Sequence, residues 1–336
     1  MSERLRIAGA AAAIAALGIV APFVGSFAIL LLTRALAFAI LAMSVDLLLG
    51  FAGLASLGQA AYLGVGAYLA AILSTRYGFG LGWNFWLVVL GAMLAGAVTA
   101  AFFGLLAIRT GGVYFLMITL ALGECVWGLA YRWDSLTGGD NGINLPGRPD
   151  FGISFASDTA YFYLVLGFFA AVLLFLYVLV RSPFGRALVG IREREERMQI
   201  LGYNTWLHKY IAFVIAGAVG GLAGVLWAHA NGEVSPDDIV LTTSVDALLM
   251  VVLGGAGTLV GGALGAGLVL FVRDYVSTLV PWWQYVLGAI YVVTILYLPG
   301  GLFGIPKRLR QAGLLSDKKI ETTGVAAASV HKRVWP

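Results

Sequence analysis

A few side chains that could handle a proton or a polar solute lie inside long apolar runs. Asp46, Glu124 and Asp246 are acids in such runs, and Gln59 and Thr119 are uncharged polar residues there. An acid costs roughly 2.5–3.5 kcal/mol to insert at the membrane centre, so these side chains should face protein or water rather than lipid. Lining a solute pathway, relaying a proton and capping a helix are the roles open to them.

Two stretches that contain these acids resemble each other. Residues 44–58 read SVDLLLGFAGLASLG, and residues 244–262 read SVDALLMVVLGGAGTLVGG. With a shift of four residues after the acid, four positions of the first stretch match four of the second: Gly50, Ala52, Gly53 and Gly58 against Gly254, Ala256, Gly257 and Gly262. The pattern suggests an internal repeat of two glycine-broken helices, although tight helix packing also uses such glycines.

Corresponding broken segments in two halves are typical of a transport pathway at a repeat interface. Helix packing and capping remain the alternative interpretation. The residues predicted to line a pathway are Asp46, Gly53, Ser56, Gly58, Gln59, Thr119, Glu124, Asp246 and Gly257.

No enzymatic motif accompanies these residues. The sequence has no GxxxxGK[ST] loop, no HExxH and no GxGxxG, and its three histidines lack metal-ligand spacing. A single cysteine rules out an internal disulfide. We therefore predict no catalytic residue, no metal site and no cofactor bound by this chain.

The elements that position these residues must be membrane helices. Of the 336 residues 60% are hydrophobic and 11% charged, whereas soluble domains average about 25% charged residues. Apolar runs near the ~20 residues that cross a bilayer predict an all-α, polytopic integral membrane protein of about 8–10 transmembrane helices. The runs are 7–25, 28–49, 52–73, 84–108, 113–131, 159–180, 209–230, 245–272 and 283–298.

Charges predict the orientation of these runs. Basic residues dominate 181–209 and the tail 307–336, whereas 132–158 and 231–244 are acidic. By the positive-inside rule the basic segments and both termini are cytoplasmic and the acidic loops external. An odd number of crossings must then follow residue 244, so we expect the run 245–272 to be a re-entrant pair or two short helices.

The loop 181–209 predicts one short amphipathic helix over 186–201, ended by Gly202 as its C-cap. Such a loop can fix topology or can be gripped by a soluble partner.

Four stretches together are similar to one family. SPFGRALVGIRE with LGYN and the next helix, DLLLGFAGLASLGQAAYLGVGAYLAA, GGVYFLMITLAL with TGGDNGI, and GGAGTLVGGALGAG with PGGLFGI resemble the branched-chain amino-acid ABC transporter permeases, especially the M-type (LivM-like) subunits. The resemblance covers roughly residues 30–306.

The resemblance implies a transport subunit of the inner or plasma membrane that is not itself an enzyme. Its domain would be 1–306, followed by the cytoplasmic tail 307–336. The family pairs two related permeases with two ATPase subunits, which use the ATP, and an external solute-binding protein. The partners implied are therefore these proteins and membrane lipid, and no nucleic acid.

The resemblance also implies roles for two loops. The segment 186–202 would be the coupling helix that docks on the ATPase, and TGGDNGI would face the binding protein, shape a gate or form a turn. The coupling residues are Arg186, Arg192, Glu193, Glu195, Glu196, Arg197 and Gly202. The external-loop residues are Thr137, Gly138, Gly139, Asp140 and Asn141.

Two rival functions remain open. The first is an ion-coupled secondary carrier for a small polar solute, with Glu124 or Asp46 as the relay. The second is a membrane scaffold or lipid-modifying enzyme, for which the sequence offers no site. Uptake driven by an ion gradient without an ATPase would identify the carrier.

Overall fold

A computed structural model describes residues 18, 25–79, 82–150, 155, 157–279, 282–297 and 301. Helices dominate these residues, and one two-residue antiparallel strand pair accompanies them. The predicted first span 7–25 lies almost wholly outside the described residues, and the tail 307–336 lies wholly outside them. The all-α class is confirmed.

The helices and strands follow in this order. The first half contains α1 (Ser26–Asp46, continued by a π-helical turn Leu47–Ala52), α2 (Gln59–Tyr77), α3 (Phe85–Ala107), α4 (Val113–Arg132), α5 (Asp134–Thr137), a 3₁₀ turn (Gly139–Asn141) and β1 (Ile143–Asn144). The second half contains α6 (Asp158–Arg181), α7 (Pro183–Glu193), α8 (Glu195–Ile200), α9 (Thr205–Asn231), β2 (Glu233–Val234), a 3₁₀ turn (Pro236–Asp238), α10 (Leu241–Gly254), α11 (Val260–Phe271, continued by a π-helical turn Val272–Val276), α12 (Ser277–Leu279) and α13 (Trp283–Tyr297).

Five of the described helices are long and apolar enough to cross a membrane. They are α1 with its π-helical turn, α3, α4, α6 and α9. The most hydrophobic stretches of α1 and α9 are each 78% buried inside the protein, whereas that of α4 is only 22% buried. Thus α1 and α9 form the centre, and α4 presents most of its surface outward.

Small residues let the central helices approach closely. α9 packs against α3, α2 and α1. A side chain at Gly221 would meet the backbone of Ala92, and one at Gly224 would meet the backbone of Leu63. Lipid tails are as apolar as the helices, so close packing rather than escape from water holds these helices together. The small-residue spacing of α9 therefore serves packing.

The run 245–272 is two helices, as the count of crossings required. α10 ends at Gly254 and α11 begins at Val260. Gly261 packs on Gly254, and Gly265 packs on the backbone of Met250, so the two helices run antiparallel. The prediction of a break in this run is confirmed.

The two acidic loops meet at one end of the molecule. Ile143 pairs with Val234 and Asn144 with Glu233, in antiparallel register. The basic loop of α7 and α8 precedes the first residue of α9, and β2 follows its last. A helix of 27 residues spans about 40 Å. The acidic loops and the basic loop therefore lie at opposite ends of α9.

Candidate functional site

The break between α10 and α11 is held by a buried carboxylate from α1. Asp46 is fully buried. One side-chain oxygen accepts from the Gly257 backbone N–H at 2.6 Å, and the other accepts from the Leu259 N–H at 2.7 Å. N–H groups at the start of a helix have no partner within it, and the helix dipole favours a negative charge there. Asp46 thus caps a helix distant from its own in sequence.

At the break between α1 and α2, neutral hydroxyl groups accept hydrogen bonds from the backbone amides. The Ala60 N–H donates to the Ser244 Oγ at 2.9 Å, and the Leu57 N–H donates to the Thr119 Oγ1 at 3.1 Å. Within the break, the Gly58 N–H donates to the Ser56 Oγ at 3.3 Å. No charged side chain accepts from these three amides.

Gln59, the first residue of α2, points into the same buried region. Its Oε1 accepts from the Ser44 Oγ at 3.3 Å. The Nε2 of this fully buried side chain has no partner among the described residues.

The two breaks touch each other. Gly53 (φ 72°) and Gly257 (φ 81°) are both left-handed, as suits two glycines matched by the repeat. A side chain at Gly50 would collide with the backbone of Gly257, so these two backbones are in direct contact. The backbone of the first break therefore contacts the backbone of the second, and the Asp46 carboxylate lies beside this contact.

In this conformation the helix ends at the breaks are already satisfied. The sequence analysis predicted that the residues of these broken segments line a solute pathway. Asp46 and Ser244 occupy the amides of Gly257, Leu259 and Ala60. In both breaks, backbone amides are therefore hydrogen-bonded to side chains of the protein itself.

The basic loop folds as two helices rather than one. α7 ends at Glu193 and α8 begins at Glu195, because Arg194 is extended with φ −154° and ψ 92°. The prediction of one helix over 186–201 is therefore wrong. Residues on both sides of Arg194 favour helix, so propensity alone does not reveal the kink. Gly202, with φ 86°, follows α8 and gives the predicted glycine stop.

The two helices face different surroundings. α7 buries Ala187, Leu188 and Ile191 against the membrane helices, whereas α8 buries none of its residues. Ile200 is 87% exposed and Leu201 is 65% exposed. The apolar residues predicted for one face of one helix thus divide between an inward-facing α7 and an outward-facing α8.

The predicted coupling residues divide in the same way. Arg192 of α7 reaches inward and donates to the Gly50 carbonyl of the π-helical turn. Glu195 pairs with Lys209 of α9 at 2.6 Å. Arg192 is nonetheless an exposed residue, like the remaining side chains of the set: Arg186, Glu193, Glu196 and Arg197.

Two of the predicted pathway acids lie outside the network that holds the breaks. Glu124 of α4 and Asp246 of α10 are half-buried. Neither makes a hydrogen bond or ion pair with the described residues. Asp246 lies within electrostatic reach of Arg273. The other predicted pathway residues gather at the breaks: Asp46, Gly53, Ser56, Gly58, Gln59, Thr119 and Gly257.

The TGGDNGI stretch is a compact turn. Gly138, Gly139 and Gly142 are left-handed, with φ 77°, 59° and 68°. The Thr137 hydroxyl is buried and donates to the Ala130 carbonyl at 2.6 Å. Asp140 and Asn141 are exposed at its tip.

Asp238, in the other acidic loop, helps to close the same end. It accepts from the Trp227 Nε1–H at 2.9 Å and the Ser235 N–H at 3.0 Å. Burial raises the pKa of Asp238.

Sequence reasoning overlooked two residues of this site. Ser244 caps α2, and its signal was present in the repeated Ser-Val-Asp tripeptide. Leu259 has φ 52°, a rare conformation for a residue with a side chain, and nothing in the sequence marked it.

Two helix pairs, each interrupted by a glycine-rich break, lie in a bundle of apolar helices, and the basic loop contacts the first break through Arg192. This arrangement is typical of a polytopic membrane transport protein. Comparison with known proteins identifies the family. The family described as branched-chain amino acid transport system / permease component matches residues 27–296. The chain belongs to this family, whose members are permease components of ABC importers.

Individual relatives agree. The high-affinity branched-chain amino acid transport system permease protein LivM of Salmonella typhimurium is 31% identical over 294 residues, which are 80% of this chain and 68% of that protein. LivH of the same organism is 24% identical over 290 residues, 80% of this chain and 92% of that protein. The guanosine ABC transporter permease NupQ of Bacillus subtilis is 27% identical over 272 residues, 74% of this chain and 83% of that protein. No solved structure matches. The predicted resemblance to LivM-like permeases is confirmed.

Proposed function

We propose that this chain forms the translocation pathway of a binding-protein-dependent importer for branched-chain or related amino acids. The family match over residues 27–296 carries the proposal. The pathway is completed by a second related permease, and similarity to both LivM and LivH supports such a pair of related subunits. Two separate ATPase subunits use the ATP, and this chain contributes no catalytic residue.

The surface of α8 is the docking site for the ATPase in this proposal. Exposed Ile200 and Leu201 adjoin exposed Glu196 and Arg197. Apolar side chains rimmed by charges are characteristic of protein interfaces. The importer lies in the inner or plasma membrane with both termini and the tail 307–336 cytoplasmic. The solute-binding protein docks at the opposite end, where Asp140 and Asn141 are exposed.

The substrate class rests on the relatives. Their names include branched-chain amino acids and guanosine. Identity to LivM is the higher of the two, and this favours an amino acid.

The proposal is tested by purifying the tagged chain from its native membrane and identifying its partners by mass spectrometry. We expect a second permease and two ATPase chains. The purified complex and its binding protein, placed in proteoliposomes, should take up leucine, isoleucine or valine only with ATP. Uptake by the chain alone under an ion gradient would instead identify a secondary carrier, and ATP-driven uptake of guanosine alone would correct the substrate class.

Docking is tested by Ile200→Asp, which should release the ATPase from the purified complex. Tyr77 is 66% exposed at the end of α2, near the acidic loops, so Tyr77→Asp serves as the control. Equal retention of the ATPase by the two variants would remove α8 from the interface.

A further inference from the structure

Arg192 is an exposed residue of the basic loop whose guanidinium contacts the first break. It lies next to the last residue of α7, one turn beyond buried Leu188. Its guanidinium donates to the Gly50 carbonyl, 142 residues earlier in the chain. Leu188 and Ile191 anchor α7 against the membrane helices, so a displacement of α7 carries this guanidinium with it.

The carbonyl that Arg192 contacts is one that a helix end leaves free. The π-helical turn ends at Ala52, and the Leu54 N–H turns back to the Leu48 carbonyl at 2.9 Å instead of reaching Gly50. The last carbonyls of a helix carry its negative dipole end and attract a cation. Arg192 therefore binds the end of α1 at the point where the first break starts.

The stem of Arg192 also explains Gly53. A Cβ at Gly53 would lie 2.7 Å from the Arg192 Cγ and 3.3 Å from its Cβ. Gly53 is left-handed as well, so two independent constraints exclude a side chain there. The first break is thus shaped around Arg192.

The second break is reached through the same contact. The Gly50 backbone packs on Gly257, and the Gly257 N–H is held by Asp46. Arg192 lies near enough to Asp46 for their opposite charges to attract. One guanidinium on α7 is therefore connected to both breaks through adjoining backbone.

We propose that Arg192 is a positioning residue that transmits the movement of α7 to both broken helices at once. Packed elements with discrete arrangements carry such coupling between distant sites. The inference rests on the proposed function, in which an ATPase moves the basic loop. It gives α7 and α8 separate tasks: α8 meets the ATPase and α7 drives the membrane helices.

The test uses the whole complex in proteoliposomes, with ATP hydrolysis and leucine uptake measured in the same vesicles. Arg192→Met keeps the apolar stem and removes the donors. We expect the ATP consumed per leucine transported to rise about tenfold. Arg192→Lys, which keeps the charge, should raise it less. Arg194→Met is the matched control in the same loop and should leave the ratio as in the unmodified complex.

A purely structural role predicts a different result. Arg192→Met would then yield less complex, with an unchanged ratio in the complex that forms, and this result would overturn the proposal. If Arg192→Met does not assemble, Arg192→Lys decides: a raised ratio supports the proposal, and an unchanged ratio overturns it. Failure of the proposed function is distinct, because the unmodified complex would then show no ATP-dependent uptake.

Discussion

The two breaks share a design but differ in what holds them. In both, a helix that contains the tripeptide Ser-Val-Asp is interrupted near a left-handed glycine, Gly53 or Gly257. Neutral hydroxyls of Ser244 and Thr119 accept from amides of the first break, and the carboxylate of Asp46 accepts from amides of the second. Hydrogen bonds to an ionised group are roughly twice as strong as neutral ones. The amides of the second break are therefore the more firmly held, whereas the charged contact of the first break is on its carbonyl side, from Arg192 to Gly50.

The contacts of the basic loop sharpen this difference. Arg192 binds the first break directly and reaches the second only through Gly50. The break with neutral acceptors for its amides thus lies next to the basic loop, and the break with a charged acceptor lies behind it. The two similar segments of the repeat are thus held by different chemical groups.

Asp46→Ala should have the largest effect on this comparison. It leaves the buried N–H of Leu259 and the half-buried N–H of Gly257 without an acceptor, and a buried unpaired group costs roughly 1–3 kcal/mol. We expect a stability loss of about 3 kcal/mol or more. The measurement is the temperature at which the purified chain in detergent loses half of its monodisperse fraction.

Asp246→Ala is the matched control, since Asp246 occupies the same place in the second copy. Asp246 is half-buried and accepts no hydrogen bond from the described residues. Its removal should shift that temperature much less. Equal shifts for Asp46→Ala and Asp246→Ala would show that the carboxylate is not what distinguishes the second break.

Alanine at the left-handed glycines should rank next. A left-handed conformation costs a residue with a side chain about 1–2 kcal/mol. Gly78→Ala should cost only this, because its added Cβ has no neighbour within 4 Å. Gly257→Ala adds a contact of 3.2 Å with the Gly50 carbonyl, and Gly53→Ala adds the tighter contact with Arg192. In the same thermal measurement, Gly53→Ala should lower the transition temperature most, Gly257→Ala less and Gly78→Ala least.

A double variant checks the cause of that ranking. Combining Gly53→Ala with Arg192→Ala should cost less than the sum of the two single changes, because the clash requires both residues. Strict additivity would mean that the Arg192 stem does not shape the first break.

Much of this architecture could be predicted from local sequence. The apolar runs predicted the helices, and the glycines after Asp46 and Asp246 predicted the breaks. The odd number of membrane crossings required after residue 244 predicted that the run 245–272 is divided. These features depend on composition and spacing within about twenty residues. The kink at Arg194 escaped prediction because tertiary contacts of α7 override the helix preference around it.

The connections within the site could not be predicted. Asp46 and Gly257 are 211 residues apart, and Arg192 and Gly50 are 142 apart. The spacing of apolar residues predicts which face of a helix is buried, but it does not predict which other helix packs against that face. Arg192 therefore resembled Arg186 and Arg197 in the sequence, and all three are exposed, although Arg192 alone of the three contacts a break.

Ser244→Ala should have the smallest of these effects, because it removes one neutral cap. Losing the acceptor of the Ala60 N–H costs about 0.5–2 kcal/mol. Ser44→Ala, the matching change in the first copy, should cost less, since the Ser44 hydroxyl shares its one proton between the Leu41 carbonyl and the Gln59 Oε1, and its loss leaves no backbone amide unpaired. The same thermal measurement should therefore order Asp46→Ala above Ser244→Ala and Ser44→Ala. A loss for Ser244→Ala as large as that for Asp46→Ala would mean that the amides of the two breaks are held equally firmly.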